Sequence, residues 1–166
     1  MQYIYLQRKE LADGRLEYTY HFDDHGLSPN NLVLRNLFYT MLDTAGPEVD
    51  TVEVEYSDTA MAKQLGINRA VEWLQVMGAA DGEQKEYWKE GVLLSRTFCA
   101  AATPERLAYL HAMKELDEVY RIRLLGDGDE KIHLYFAKTL SLRLDRKKEE
   151  IFLQLLLNRN VPHKIL

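Results

Sequence analysis

The densest group of side chains that could do chemistry lies between residues 121 and 143, where cationic and aromatic residues recur at odd-numbered positions. Such alternation is typical of β-strands, whose successive side chains point to opposite faces of a sheet. Two strands here would place one set on a common face: Arg121, Arg123, His133, Tyr135 and Arg143. Guanidinium groups bind phosphates and carboxylates through paired hydrogen bonds, and tyrosine can stack on a base. The pattern predicts a surface for an anionic ligand or a nucleic acid; a solvated sheet face is the alternative.

A second group combines residue types that ligate metals. His21, Asp23 and His25 follow one another at two-residue spacing, so an extended chain would direct them to one side. Histidine and carboxylate are ligands of zinc and iron sites. The spacing matches no established metal motif, and the same residues also suit a turn. A small metal-dependent enzyme is therefore one hypothesis, whereas the sequence as a whole indicates no cofactor.

Two further segments are candidates for contact with another protein. The predicted strand 50–57 alternates apolar and polar residues, and its acids share the outer face. The predicted helix 146–158 carries leucines on the side opposite its main apolar stripe, so both sides need covering. The candidate contact residues are Asp50, Glu53, Glu55, Asp58, Leu153 and Leu157. Aromatic residues outside the predicted core stripes are further candidates as contact anchors: Tyr3, Tyr5, Tyr39 and Trp88.

Residues 58–77 resemble a helix-turn-helix, the two-helix unit with which many proteins read DNA. Four positions agree with the motif: Ala62, Leu65, Gly66 and Ile67. Val71 and Leu74 each fall one residue early, and Arg69 is the one cation on the second helix. Acidic surroundings oppose DNA binding electrostatically. We therefore expect two packed helices here, with DNA reading as the less favoured interpretation.

The positioning elements follow from the same periodicities. Asp13-Gly14 predicts the turn of an opening hairpin because such turns need positive φ. The predicted strands are 2–8, 15–22, 50–57, 119–125 and a long one at 131–144 with a bend or bulge near 137–139. The predicted helices are 29–44, a helical region over 59–118 that includes 83–97 and 104–116, and 146–158. Segregated strand and helix runs predict an α+β fold with a mostly antiparallel sheet, in a single domain spanning residues 1–166.

Composition narrows the class of protein. The 166 residues are 46% hydrophobic and 28% charged, which is ordinary for a globular domain. Residues 119–166 hold ten Lys or Arg and six Asp or Glu, whereas residues 1–118 hold eleven and twenty, so the net charge of −5 hides a basic final third. An overall acidic chain disfavours nucleic acid as the main partner. No apolar run approaches about 18 residues, so we expect no membrane-spanning helix.

Searches for nucleophilic and nucleotide-binding motifs return nothing. None of the four serines lies in Gly-x-Ser-x-Gly, and no phosphate-binding glycine loop is present. Cys99, the one cysteine, lies in an apolar run that predicts a buried, unreactive thiol. A lone cysteine and a first segment, MQYIYLQRKE, without an apolar block indicate a cytoplasmic protein.

With no catalytic constellation, the sequence favours a non-catalytic protein that binds another macromolecule. An inhibitor, an immunity or anti-defence protein, or an assembly adaptor would fit one compact acidic domain. The expected partner is another protein, preferably a basic one, because opposite potentials speed encounter. A homodimer is a further expectation from the apolar final helix.

Overall fold

The computed structural model describes residues 3–22, 31–136 and 138–166. Within these ranges nine strands form one sheet, in the order β4-β5-β3-β6-β7-β8-β2-β1-β9. The strands are β1 (Ile4–Glu10), β2 (Leu16–His21), β3 (Thr51–Tyr56), β4 (Lys85–Lys89), β5 (Val92–Ala101), β6 (Arg121–Gly126), β7 (Asp129–Tyr135), β8 (Thr139–Leu144) and β9 (His163–Ile165). The helices are α1 (Asn31–Ala45), α2 (Asp58–Leu65), α3 (Ile67–Met77), α4 (Pro104–Leu110) and α5 (Glu149–Asn158). The predicted α+β class with a mostly antiparallel sheet is confirmed.

One face of the sheet supplies the core. Along β3, β6, β7 and β8 the even-numbered side chains other than Glu130 are buried, while their odd-numbered neighbours are mostly half-buried on the other, outer face. A bulge at Leu125 places Glu130 on the outer face as well. The helices cover the inner face: Leu37, Phe38 and Met41 of α1 are fully buried, as their i, i+3, i+4 spacing predicts. Phe152 and Leu156 of α5 join the same cluster. A sheet covered on one face leaves the outer face open.

The opening hairpin forms as predicted. Gly14 has a φ of +87°, the conformation that the turn between β1 and β2 requires and that glycine adopts without steric cost. The chain returns to this hairpin at its end, because β9 pairs with β1 in parallel. Strand β9 thereby forms one edge of the sheet.

Residues 83–97, predicted as a helix, instead form strands β4 and most of β5. Between them lies a two-residue turn at Glu90 and Gly91, both with positive φ (52° and 79°), which suits the twist of an antiparallel hairpin. The signal for this turn in the sequence is a glycine, Gly91, directly after the polar Glu90. The helix prediction was wrong because a short mixed segment fits both periodicities, and strand pairing with β3 decides between them.

The predicted long strand 131–144 is two strands. The chain reverses between Tyr135 and Thr139, and β7 and β8 pair antiparallel with each other. The amide of Lys138 donates to the carbonyl of Tyr135 at 2.7 Å, and Phe136 adopts a φ of +48°. The expected bend is therefore a full turn. The apolar alternation continues through the turn in sequence, which is why it read as one strand.

The remaining helices differ from prediction mainly at their ends. The two packed helices α2 and α3 are present, α4 ends at Leu110, and α5 is preceded by a 3₁₀ turn at Arg146–Lys148. The first two residues of the predicted helix 29–44 lie outside the described residues. Within the part of the chain that is described, no helix combines the length and apolar character needed to cross a lipid bilayer.

Candidate functional site

The outer face gathers the side chains that the alternation predicts to lie together. Arg121 lies opposite Tyr135, and Arg123 lies opposite His133, on the paired strands β6 and β7. Arg143 follows on β8, the next strand. The parity argument is confirmed, and these five side chains share one surface.

Their charges, however, are balanced by acids from neighbouring strands. Arg123 binds Glu53 at 2.5 Å and Glu130 at 2.8 Å, and Arg143 binds Glu17 at 2.8 Å. Glu130 lies 4.0 Å from Arg143 and so connects the two arginines. The resulting ion-pair ladder crosses the sheet from β2 to β3: Glu17, Arg143, Glu130, Arg123 and Glu53. The predicted cationic surface is therefore a surface of alternating charge.

Arg121 is the least tightly held of the three arginines. Its ion pair with Glu55 measures 3.7 Å, its guanidinium carbon lies 5.5 Å from the centre of the Tyr135 ring, and its Nε is buried without a hydrogen-bond partner. His133 nearby also has a buried, unpartnered Nε2. Burial lowers the pKa of His133, and the surrounding arginines lower it further despite Glu130. A neutral imidazole is the consequence, since a charged one would meet both desolvation and repulsion.

Of the proposed metal group, His21 alone lies within the described residues. His21 is exposed on β2 and lies 3.3 Å from the hydroxyl of Thr139, while Asp23 and His25 lie outside the described ranges. His133 is two strands from His21 and is offset from it by two residues along the strands, a separation of about 12 Å at the usual spacings. Among the described residues, no cluster of three or more His, Cys, Asp or Glu could hold a metal ion.

The acids predicted as protein contacts already have partners within the chain. Asp50 accepts the amide of Asp127 at 2.9 Å, a bond that lowers the pKa of its carboxyl, and it thereby holds the β6–β7 turn. Glu55 accepts the hydroxyl of Ser95 at 2.8 Å, and Asp58 binds Arg96 at 3.1 Å. Such satisfied carboxylates offer less attraction to a basic partner than the sequence suggests.

The two leucines predicted on the outer side of the last helix differ in exposure. Leu153 packs half-buried against the core, whereas Leu157 is 62% exposed. Single exposed leucines are ordinary on protein surfaces. Phe152 and Leu156 are the buried residues of this helix, and Ile151 joins Leu157 among its exposed side chains.

The hairpin of β4 and β5 is rich in exposed apolar side chains. All five residues of β4 are exposed, and four large apolar side chains are between 43% and 58% accessible: Tyr87, Trp88, Val92 and Leu94. A bulge between Tyr87 and Trp88 sets both opposite odd-numbered residues of β5, so the two rings emerge on the same face. The even-numbered Val92 and Leu94 lie on the opposite face of the hairpin. The sequence pointed to Trp88 as an anchor but placed it on a helix.

This hairpin extends past the end of the strand beside it. Arg96 of β5 pairs with Tyr56, the last residue of β3, so Val92–Ser95 continue beyond the sheet. At the same end of the sheet lies a cavity of about 270 Å³, bounded by α2 and by the segments flanking β6 and β7. Side chains lining it include Lys63, Asp117, Glu118, Tyr120 and Phe136.

Glu118 is the unusual member of this lining. It is only 4% exposed, and burial raises the pKa of its carboxyl. Its cationic neighbour is Arg69, 3.6 Å away, which is itself 66% exposed to water. The aromatic wall beside it is compact, with ring centres of Tyr120 and Phe136 at 4.6 Å. Sequence reasoning missed this group because Glu118 belongs to no motif and stands directly before a predicted strand.

The two-helix segment contributes one of these contacts. Ala70, Trp73 and Met77 of α3 are buried, which confirms that the helices pack as the motif requires. Arg69, the candidate base-contacting cation, is engaged with Glu118. DNA reading by this segment stays a prediction.

A second depression lies between α1 and α4. Its volume is about 430 Å³, and Leu42, Asp43, Leu107 and His111 line it. His111 lies 3.1 Å from Asp43 and stacks on Tyr39 with ring centres 4.5 Å apart. The arrangement orients the imidazole, and sequence reasoning missed it because the partners are 68 residues apart.

The thiol of Cys99 is exposed on the outer face of β5 rather than buried as predicted. Strand alternation explains the error, since Phe98 and Ala100 take the inner positions. Partial burial and the nearby Glu53 raise the pKa of the thiol, which keeps it protonated at neutral pH.

Comparison with known proteins adds no further assignment. No protein-family model matches the chain, and no curated protein or solved structure matches it significantly. Its function is therefore argued from the geometry described above.

Proposed function

We propose that this protein works without catalysis by binding another protein through the hairpin of β4 and β5. The observation that carries the proposal is the exposure of large apolar side chains at its tip, with Tyr87 and Trp88 on one face and Val92 and Leu94 on the other. Tryptophan and tyrosine dominate the binding energy of protein interfaces, so the face that carries Tyr87 and Trp88 is the expected contact surface. The extension of this hairpin beyond β3 makes these side chains accessible to a partner surface.

Charge supports a protein partner over a nucleic acid. The arginines of the outer face are bound to glutamates, so few cations remain to displace counterions from phosphates. On the hairpin itself Lys85 and Lys89 are balanced by Glu86 and Glu90. An apolar patch with a mixed-charge rim is the usual composition of a protein interface.

An inhibitor, an immunity or anti-defence protein, or an assembly adaptor would act in this way, through surface contact alone. The cytoplasm suits such a protein, because its exposed Cys99 would stay reduced there. The second copy of a homodimer is one partner that the experiment below would detect.

Photo-crosslinking tests the proposal directly. Trp88 is replaced by a photoreactive phenylalanine analogue, and the matched control carries it at Ile67, which is 71% exposed on α3. In native cell extract we expect a discrete adduct from position 88 and little from position 67. Equal crosslinking at both positions, or no adduct at position 88, would contradict the proposal.

The affinity of the captured partner gives the quantitative test. Trp88→Ala should weaken binding at least tenfold, as expected of an interface anchor, whereas Ile67→Ala should change it less than threefold. Mass spectrometry of the adduct distinguishes a different protein from a second copy of this chain. An unchanged affinity of Trp88→Ala would place the interface elsewhere.

One observation favours an anionic ligand as a second candidate function. The loosely held Arg121, with its unpartnered Nε, lines a depression of about 290 Å³ together with Arg123 and Tyr87, and the carboxylates of Glu53 and Glu55 line it as well. A carboxylate or phosphate there would receive hydrogen bonds from the guanidinium. Binding of inorganic phosphate should then fall with added salt and be lost in Arg121→Ala but kept in Arg96→Ala. Equal phosphate binding by both variants would exclude this site.

A further inference from the structure

We propose that the cavity beside Glu118 receives a lysine or arginine side chain of the protein that docks on the β4–β5 hairpin. The inference rests on the proposed function and adds the chemistry of the partner. Its basis is the pairing of a buried carboxylate with an aromatic wall at the same end of the sheet as the exposed hairpin tip.

The first argument is electrostatic. Glu118 is only 4% exposed, yet among the described residues its carboxylate has the 3.6 Å contact with the exposed Arg69 and a hydrogen bond from the backbone of Glu115. Burial raises its pKa, so the charge that Arg69 contributes does not fully offset the desolvation. Asp117, which accepts a hydrogen bond from Gln64 at 3.3 Å, adds a second carboxylate to the lining. A further positive charge in the cavity would therefore be stabilised.

The second argument is the aromatic wall. Tyr120, Tyr135 and Phe136 form a cluster with ring centres 4.6 to 5.5 Å apart, and Tyr120 and Phe136 line the cavity. Aromatic faces attract ammonium and guanidinium groups, most strongly when these are removed from water. Phe136 has a φ of +48°, a backbone conformation that bulky residues rarely adopt. The cavity thus joins the two features that recognise organic cations.

The third argument is size and position. At about 270 Å³ the cavity is smaller than the usual site for a drug-sized molecule, and it suits one long side chain. The hairpin tip extends past β3 at this same end, so one partner surface could contact both. Lys63 at the rim is exposed and would compete weakly for the same carboxylates.

Nuclear magnetic resonance titration of the isotope-labelled protein tests the inference. The probes are the N-acetyl amides of arginine and lysine, with the neutral norleucine amide and the anionic glutamate amide as controls. We expect the cationic probes to shift the amide signals of Glu118, Tyr120 and Phe136, with weak affinity. Norleucine binding as tight as lysine binding would overturn the inference, since only apolar contact would then be at work.

Variants locate the cation. Glu118→Gln keeps the shape of the side chain and should weaken arginine binding at least tenfold, whereas the matched control Glu105→Gln should leave it unchanged. Lys63→Met removes the competing amine and should strengthen binding about twofold. An unaltered affinity in Glu118→Gln, with its amide spectrum showing a folded protein, would refute the assignment.

The two proposals can fail separately. If the hairpin captures a partner while the cavity ignores both cationic probes, the inference about partner chemistry fails and the proposed function stands. If the cavity binds cations while position 88 yields no adduct, the hairpin is not the interface and the proposed function fails.

Discussion

Replacement of Arg123 by methionine probes whether the ion-pair ladder stabilises the sheet. Arg123 makes two charge-assisted hydrogen bonds, to Glu53 at 2.5 Å and to Glu130 at 2.8 Å, and all three side chains are at most 35% exposed. The contribution of such partly buried pairs to stability lies between that of exposed ion pairs, about 0.2–1 kcal/mol, and that of hydrogen bonds to charged groups, about 1.5–3 kcal/mol. At about 1 kcal/mol for each bond, the variant should lose about 2 kcal/mol.

The matched control is Arg121→Met on the same strand. Arg121 has one ion pair of 3.7 Å with Glu55, so its loss should cost about 0.5 kcal/mol. For a domain of this length, 1 kcal/mol corresponds to about 2–4 °C in melting temperature. Thermal and urea denaturation should therefore show Arg123→Met melting about 4–8 °C below the natural sequence and Arg121→Met only slightly below it.

A double-mutant cycle separates the pair from its surroundings. Glu53→Gln in the Arg123→Met background should cost less than in the natural sequence, with a coupling of about 1 kcal/mol that shrinks in about 0.5 M sodium chloride. If Arg123→Met costs no more than Arg121→Met, the ladder contributes no stability and the reasoning from geometry is refuted.

Three further predictions concern buried charge and backbone contact. Glu118→Gln should raise the melting temperature at pH 7, because the raised pKa of Glu118 means that its ionised form destabilises the fold. This gain in melting temperature should disappear below pH 4.5, the ordinary carboxyl pKa, where the glutamate is protonated in both states. A gain that persists in acid would contradict the prediction. Glu149→Gln should lower stability at pH 7, because the hydrogen bond from Arg8 lowers the pKa of Glu149. The difference in stability between the two proteins should be present above pH 4.5 and vanish as the pH falls through the lowered pKa. A difference that stays constant down to pH 2 would show that the ionised Glu149 does not stabilise the fold. Gly126→Ala should lower the free energy of unfolding by about 3 kcal/mol or more, since its Cβ would lie 2.1 Å from a backbone carbonyl oxygen. Gly128→Ala has open space around it and should cost about 1 kcal/mol, because its φ is positive. Equal losses in the two variants would show that the backbone near Gly126 moves aside without cost.

Much of the fold could be predicted because its signals are local. Asp13-Gly14 predicts a turn through the backbone conformation of one glycine, and the α1 stripe of Leu37, Phe38 and Met41 follows from helical periodicity. The alternation between Arg121 and Arg143 likewise places its side chains on one face, whatever strand lies beside it. Each of these conclusions needs only the residues within a few positions of each other.

Predictions failed where two local readings were equally good. Residues 83–97 fit a helix or a hairpin, and pairing of β5 with β3 selects the hairpin. The turn after Tyr135 was hidden because apolar alternation runs through it, and antiparallel pairing of β7 with β8 decides the reversal. Hydrogen bonding between distant strands supplies the free energy that local propensity does not.

The sequence by itself determined the class of fold, the face on which the residues of β3, β6 and β8 lie, and the concentration of cations near the end of the chain. Only the tertiary structure decided what those cations meet, because Glu53 reaches Arg123 across 70 residues of sequence and turns a cationic stripe into an alternating ladder. The same holds for Glu118 and its aromatic wall, which converge through packing of α2 against the sheet end. Alternation is a property of neighbouring residues, whereas electrostatic environment depends on which strands and helices become neighbours in space.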